Sequence, residues 1–384
     1  MTAFPGPSII PDRVLAAMAL PMTDLYNGPI LDATDECRAA LPGIAETAGE
    51  AFIIASNGHG AWQMAVSNTL ARGDKVLIAE AGRFANIWGE YSAVSDIELE
   101  ILPGDDRTPV DPAALQARLQ ADADHEIRAV LAVQTDTASS VRNDIPALRA
   151  AMDAAGHPAL LMIDNTASMG CEPFYMDEWG VDVALAGCQK GMMVPPGIAF
   201  VWANEKALRA YERADMRVGY LDWGKRLTPG AQYLFYAGTP PMSHIFALRE
   251  ALRIMAEEGG NEAVWRRHAI LARAVRAAVE AWSTPGGIEF NILDEAHRSD
   301  CVTAVRTGSI DSDELRAICE EQAGLVLGVG IGDIPAIRIA HMGHLNPPMI
   351  LGTLATIEAA LHSMGAPIGG SGIAAAAAVV GNEL

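Results

Sequence analysis

Seven short apolar runs recur between residues 52 and 202, at 52–56, 75–80, 99–102, 129–135, 159–164, 183–186 and 198–202. Helix-like segments at 60–71, 111–120, 145–155 and 206–214 separate several of them. This alternation is the feature that most limits the fold. A run such as Ala159-Leu160-Leu161-Met162-Ile163 places apolar side chains on both faces of a strand, so both faces need cover. The expected fold class is α/β: one large domain with a mixed, mostly parallel seven-stranded sheet, layered with helices on both sides.

The pattern changes after Gly230. Residues 240–258 and 262–282 read as two long amphipathic helices, and Pro285-Gly286-Gly287 reads as a boundary. Beyond it, strands at 289–293, 302–306, 325–328 and 336–339 interleave with helices at 311–321 and 349–364. This predicts a smaller C-terminal α+β domain. The expected division is an N-terminal segment 1–15, a large domain 16–284 and a small domain 285–384.

Composition narrows the function. With 27 Lys and Arg against 48 Asp and Glu, the formal net charge is −21, and half of the residues are hydrophobic. An acidic surface repels phosphate backbones and anionic headgroups, so neither nucleic acid nor a membrane is an expected partner. Residues 1–14 hold three prolines and no basic stretch ahead of an apolar one, so no secretory signal is expected. No run reaches the roughly 18 apolar residues of a membrane span; the alanine-rich stretch 372–380 is too short. The five cysteines are odd in number and none are at CxxC spacing, which argues against a disulfide framework and a zinc site and fits a reducing cytoplasm.

Three features carry chemistry. Ser56-Asn57-Gly58-His59-Gly60 follows a strand and opens a helix, where exposed backbone N–H groups suit an anion such as phosphate; the same turn also serves plain strand-to-helix geometry. Asp164 ends a buried strand, at the sheet edge where α/β proteins bind ligands; it could equally cap the next segment. Lys190 follows another strand and has apolar flanks, Val183-Ala184-Leu185-Ala186-Gly187 before it and Met192-Met193-Val194 after it. A desolvated lysine becomes a nucleophilic amine, although a lysine at a loop can also snorkel to water. Together they supply what pyridoxal 5′-phosphate (PLP) requires: a phosphate cradle, an amine for its aldehyde carbon and an acid for its ring nitrogen.

With these residues in view, the chain resembles the class V aminotransferases of PLP fold type I, in the alanine/serine–glyoxylate aminotransferase group. The resemblance runs along nearly the whole chain. It rests on Phe4-Pro5-Gly6-Pro7-Ser8, the 56–60 turn, Gly73-Asp74-Lys75-Val76-Leu77, Asp136-Thr137-Ala138-Ser139, Ile163-Asp164-Asn165-Thr166-Ala167-Ser168, the segment 176–182, Cys188-Gln189-Lys190-Gly191, Pro195-Pro196-Gly197, Tyr236-Ala237-Gly238-Thr239-Pro240 and Ile337-Arg338-Ile339-Ala340-His341-Met342-Gly343. It implies that Lys190 is the Schiff-base lysine and proton shuttle and that Asp164 pairs with the ring nitrogen. Asn57, Gly58 and His59, with Gln189, would hold the phosphate. Phe84 would stack on the ring and Thr137 would reach its phenolic oxygen; an ordinary core phenylalanine and a turn hydroxyl are the alternatives. Tyr236 and Thr239 would reach the phosphate of a neighbouring subunit, implying a homodimer with shared sites. Arg338 would hold the substrate α-carboxylate, and Gly6 would line the same pocket.

The expected reaction is transfer of an amino group from a small L-amino acid (serine, alanine or aspartate) to glyoxylate or pyruvate by a ping-pong mechanism. The chain departs from the family at Leu25-Tyr26, Asp136, Ser139-Ser140 and Ala340, which bears on substrate rather than cofactor. Two other activities stay open: pyridoxamine–pyruvate aminotransfer, and PLP-dependent lysis such as cysteine desulfuration. Arg83 and Arg142 carry charge that the sequence alone does not place.

Overall fold

All seven apolar runs form strands of one sheet in the computed structural model, which describes residues 1–331 and 334–383. The chain begins with β1 (Thr2–Ala3), α1 (Asp12–Met18) and α2 (Ile30–Ile44). Next come β2 (Glu50–Ile54), α3 (Gly58–Thr69), β3 (Lys75–Ala79), α4 (Phe84–Ala93), β4 (Glu98–Leu102), α5 (Pro112–Gln120), β5 (Ile127–Val133), α6 (Ile145–Ala154) and β6 (Leu160–Asp164). Then β7 (Val183–Gly187), β8 (Ala199–Ala203) and α7 (Glu205–Ala210) complete the larger layer. The sheet order is β2-β8-β7-β6-β5-β3-β4; β8 is antiparallel to both neighbours and the other pairs are parallel.

Polar side chains start the helices of this layer. Asn57, Asp111, Asp144 and Asn204 each accept a first-turn backbone N–H of α3, α5, α6 and α7. The strands feed two cores. Val130 and Ala132 of β5 join Leu161, Ile163 and Ala184 on one face, while Ala129, Leu131 and Val133 join Val76, Met162 and Leu185 on the other. Each fully buried Leu, Ile or Val contributes about 1.5–3 kcal/mol, which is what holds a continuous apolar strand in the middle of the sheet.

The second half contains α8 (Trp223–Leu227), α9 (Met242–Glu258), α10 (Asn261–Trp282), β9 (Glu289–Phe290), β10 (Val302–Arg306), α11 (Ser312–Ala317), β11 (Val326–Ile331), β12 (Ile334–Ala340), α12 (Pro347–Ser363) and α13 (Gly372–Gly381). A second sheet has the order β1-β11-β12-β10-β9, with β1 parallel to β11 and the other pairs antiparallel. Its core takes Ala3 from β1, Leu271, Val275 and Trp282 from α10, and Ile350, Leu354 and Ala376 from α12 and α13. Both the N-terminal strand and the helix before Pro285 thus contribute to the smaller core.

Several local expectations change. The strand expected over 289–293 ends at Phe290, because the Asn291 amide is drawn to Asp106 O (2.6 Å) and Ser139 O (3.0 Å). The helix expected over 311–321 is α-helical only to Ala317 and then widens into a π-helical turn, Ile318–Gln322. β1, α1, α2 and α4 are elements beyond those expected. The alanine-rich stretch becomes α13, packed on α10. Among the described residues, no helix is long and apolar enough to cross a membrane and no cluster of His, Cys, Asp or Glu is fit to hold a metal. All five cysteines are unpaired and buried.

Candidate active site

Strands β2, β3, β5, β6 and β7 point their C-terminal ends the same way, and the loops leaving that edge surround a cavity of about 340 Å³. Asn57, Gly58, His59, Phe84, Thr137, Asp164, Gln189, Lys190, Arg338 and Gly6 all line it. The larger sheet supplies most of this wall. The smaller sheet supplies Arg338 from β12, and the N-terminal segment supplies Phe4, Pro5 and Gly6.

Lys190 sits just beyond β7 and is 8% exposed. Its Nζ lies 3.4 Å from Thr137 Oγ1 and 5.7 Å from the centroid of the Phe84 ring. Burial pushes the amine below its ordinary pKa, and the negative charges of Asp164 and Asp136 only partly oppose this. Ser8 fixes the backbone beneath it: Ser8 N donates to Gln189 O (2.9 Å) and Ser8 Oγ donates to Lys190 O (2.8 Å).

Asp164, at the end of β6, is 3% exposed. Its Oδ1 accepts the backbone N–H of Thr166 (2.6 Å) and its Oδ2 accepts the indole N–H of Trp62 (2.8 Å). Burial raises its pKa, while Thr166, Trp62 and, through space, Lys190 pull the other way. Both donors are neutral, so the carboxylate is oriented without being cancelled.

Asn57 caps α3, its Oδ1 accepting from His59 N (3.0 Å) and Gly60 N (3.4 Å). A Cβ at Gly58 would stand 3.1 Å from Thr166 Oγ1, so the turn and the Thr166 hydroxyl converge on one point. Thr166 Oγ1 and Gln189 Oε1 are buried atoms without a hydrogen-bond partner, and both residues line the cavity. Such atoms mark where a polar ligand would be satisfied. The His59 ring stacks on Tyr91 at 4.9 Å and meets Trp62 edge-on at 4.4 Å, and burial holds its pKa below 6.5.

Arg338 makes two backbone contacts, Nε to Val329 O and Nη1 to Thr137 O, both 2.7 Å. Among the described residues it has no carboxylate partner and its Nη2 makes no hydrogen bond. The fixed fork thus keeps donors for an incoming carboxylate. Asp136 lies next to Thr137, behind the cavity lining. Its buried carboxylate accepts Arg83 N (2.8 Å) and Phe84 N (2.7 Å) on Oδ2, and Ala138 N (2.8 Å) and Ser139 N (2.9 Å) on Oδ1. That arrangement joins the start of α4, which carries Phe84, to the turn carrying Thr137.

Tyr236 and Thr239 stand apart from the cavity. Tyr236 is buried with its hydroxyl on Thr34 Oγ1 (2.9 Å), and Thr239 is exposed. Arg142 bonds Ala296 O (2.9 Å) and faces Asp300 (3.6 Å), outside the cavity lining; Arg83 is exposed at its rim through its neighbour Phe84. Sequence reasoning missed Trp62, Thr135 and Thr166. Trp62 had one available signal: it follows His59 by three positions, one turn along α3 on the same face.

A buried amine, a buried carboxylate with spare acceptor capacity, a capped helix start and a half-committed arginine thus meet at one sheet edge. The profile of the family described as Aminotransferase class-V matches residues 5–342. The serine–glyoxylate aminotransferase of Methylorubrum extorquens is 37% identical over 390 residues, spanning 97% of this chain and 94% of that protein. The L-aspartate–glyoxylate aminotransferase of Paracoccus denitrificans is 37% identical over 383 residues, with the same coverage of 97% and 94%. Among solved structures, the pyridoxamine–pyruvate aminotransferase from Mesorhizobium loti superposes with a TM-score of 0.89 at 25% identity, covering 100% of this chain and 97% of that one.

Proposed function

This chain belongs to the class V aminotransferase family, and from that premise we propose that it binds PLP in the cavity and moves an amino group from a small L-amino acid to glyoxylate or pyruvate. The amino donors proposed are serine, alanine and aspartate, and the order is ping-pong. One observation carries the reading: Lys190 and Asp164 are both buried in a single cavity that also holds the unpartnered Thr166 Oγ1.

The residues fit the cofactor. The first turn of α3 offers backbone N–H groups and the positive end of the helix dipole to a phosphate, with the Asn57–His59 turn, Thr166 and Gln189 around it. Phe84 offers a ring face and Thr137 a hydroxyl. Bound there, PLP supplies an electron sink that makes the α-proton of an amino acid acidic. Asp164 would pair with the ring nitrogen and favour its protonated form. Lys190 Nζ would hold the cofactor through its aldehyde carbon, and the same amine would serve as the base that moves the substrate α-proton. Arg338 Nη2 receives the substrate α-carboxylate, and Gly6 leaves room for the lysine to swing.

The proposal extends to a cytoplasmic homodimer with shared sites. Five unpaired cysteines fit a reducing compartment. Thr239 is exposed and free to meet a second subunit; Tyr236 would first have to release Thr34. Residues 1–15 would act as a segment of the substrate pocket, which the positions of Phe4, Pro5 and Gly6 support, with a large cofactor domain over 16–284 and a small domain over 285–384. Cysteine desulfuration is disfavoured, because it needs an accessible thiol and all five are buried.

The test is the visible absorbance of purified protein supplied with PLP, before and after L-serine, L-alanine, L-aspartate and free pyridoxamine are added separately. A band that one of the amino acids bleaches, and that glyoxylate or pyruvate restores, is the expected result. Bleaching by pyridoxamine alone would replace the donor class, and no band at all would end the PLP reading.

A further inference from the structure

Asp164 draws its two hydrogen bonds from very different places. The Thr166 N–H is local, two residues on, and any turn of that shape would supply it. The Trp62 indole N–H comes from a different element, 102 positions away, and its 2.8 Å bond to Oδ2 is built rather than incidental. Trp62 is 2% exposed and lines the cavity. Its ring is immobilised by His59 edge-on at 4.4 Å, by Trp88 stacked at 6.1 Å and by Tyr91 at 5.9 Å. A lysine or arginine in its place would neutralise the carboxylate. An indole donates one hydrogen bond, does not titrate and leaves the negative charge available to a third party.

The helix matters as much as the side chain. α3 presents its capped first turn to the cavity, and one turn after His59 it presents Trp62 to Asp164 in the same cavity. A single rigid element therefore touches both anchoring points. Resting on the PLP reading above, we propose that Trp62 is a positioning residue for the cofactor ring, fixing the orientation of the Asp164 carboxylate toward the ring nitrogen from the same helix that would receive the phosphate.

The experiment is a double-mutant cycle on the PLP dissociation constant, measured by titrating cofactor-free protein with PLP for wild type, Trp62→Phe, Asp164→Asn and the double variant. A hydrogen bond to a charged group is worth about a factor of ten or more in an equilibrium constant. Trp62→Phe is expected to weaken PLP about tenfold in the wild-type background and threefold or less with Asp164→Asn, with the visible band shifted in the single variant. Should Trp62→Phe misfold, replacing Trp62 by benzothienylalanine removes the N–H and keeps the shape. Equal loss in both backgrounds, or none in either, would overturn the proposal, since it would reduce Trp62 to packing. Wild-type protein that binds no PLP would bring down the underlying reading too, whereas tight wild-type binding with an unaffected Trp62→Phe would bring down this one alone.

Discussion

The side chain of Lys190 lies directly against the bare backbone of Gly6: a Cβ on Gly6 would come within 2.9 Å of both Lys190 Cγ and Cε. Gly6 also has φ +97°, a conformation that side-chain-bearing residues rarely adopt. The N-terminal segment thus shapes the space around the Lys190 side chain. Gly6→Ala is expected to push the lysine out of line and reduce the rate of the amino-donor half-reaction about 100-fold, with a loss of about 1–3 kcal/mol in unfolding free energy. Single-turnover absorbance and urea unfolding measure the two, and a wild-type rate in Gly6→Ala would show that the lysine does not need this clearance.

Arg338 is aimed by carbonyl oxygens at Val329 and Thr137, which match a guanidinium fork and not an ammonium. Arg338→Lys keeps the charge and loses the geometry. The expected outcome is a rise in KM for the amino donor of about 100-fold, with PLP affinity within twofold of wild type. Steady-state kinetics beside a PLP titration separate these, and an unchanged KM would assign the carboxylate to another group.

Asp136 uses both carboxylate oxygens to gather four backbone N–H groups. Asparagine would turn an NH₂ toward one of those pairs and leave donors facing donors. Asp136→Asn should cost about 2–3 kcal/mol of stability, and PLP affinity should fall as Phe84 and Thr137 lose their register. Chemical denaturation and PLP titration together test this; a variant of wild-type stability would mean that the loop is held by other contacts.

Two histidines make the fold sensitive to acid. His268 Nδ1 donates to Val264 O (2.7 Å) while its Nε2 accepts the Gly343 N–H (3.0 Å), so the buried ring must stay neutral, and desolvation pushes its pKa down to about 3. Burial pushes His341 to about 3 as well. In the unfolded chain both protonate near the ordinary 6.5. The unfolded state therefore takes up more protons between these values, and stability present above pH 6.5 is lost as pH falls toward 3, by up to about 1.4 kcal/mol per pH unit for each ring. Unfolding midpoints measured from pH 7 to pH 4 should show a slope that becomes shallower in His268→Asn. The same slope in both proteins would refute the assignment.

Much of this was legible because it is local. An apolar run that must be buried on both faces looks the same whichever strand lies beside it, so the seven strands of the large sheet could be read from residues 52 to 202. Asn57, Asp111, Asp144 and Asn204 announce helix starts because a capping side chain reaches only the next turn. Helix α4 was invisible for the converse reason. Its first N–H groups are capped by Asp136, 52 positions from Phe84, and no local residue takes that part. β1 was hidden because a two-residue strand carries no periodicity and exists only where β11 offers it an edge.

The sequence by itself determined the α/β class and put Lys190, Asp164 and the 56–60 turn at the ends of strands, because burial and chain direction follow from the order of apolar residues. Only the tertiary structure decided which neutral donors reach Asp164, which carboxylate ties Phe84 to Thr137, that Gly6 backs onto Lys190, and that Tyr236 turns inward to Thr34. Those are contacts between side chains or backbone groups far apart in the chain. A hydrogen bond a few ångströms long depends on how two elements are docked, and that docking is fixed by the packing of the whole core rather than by any stretch of residues within it.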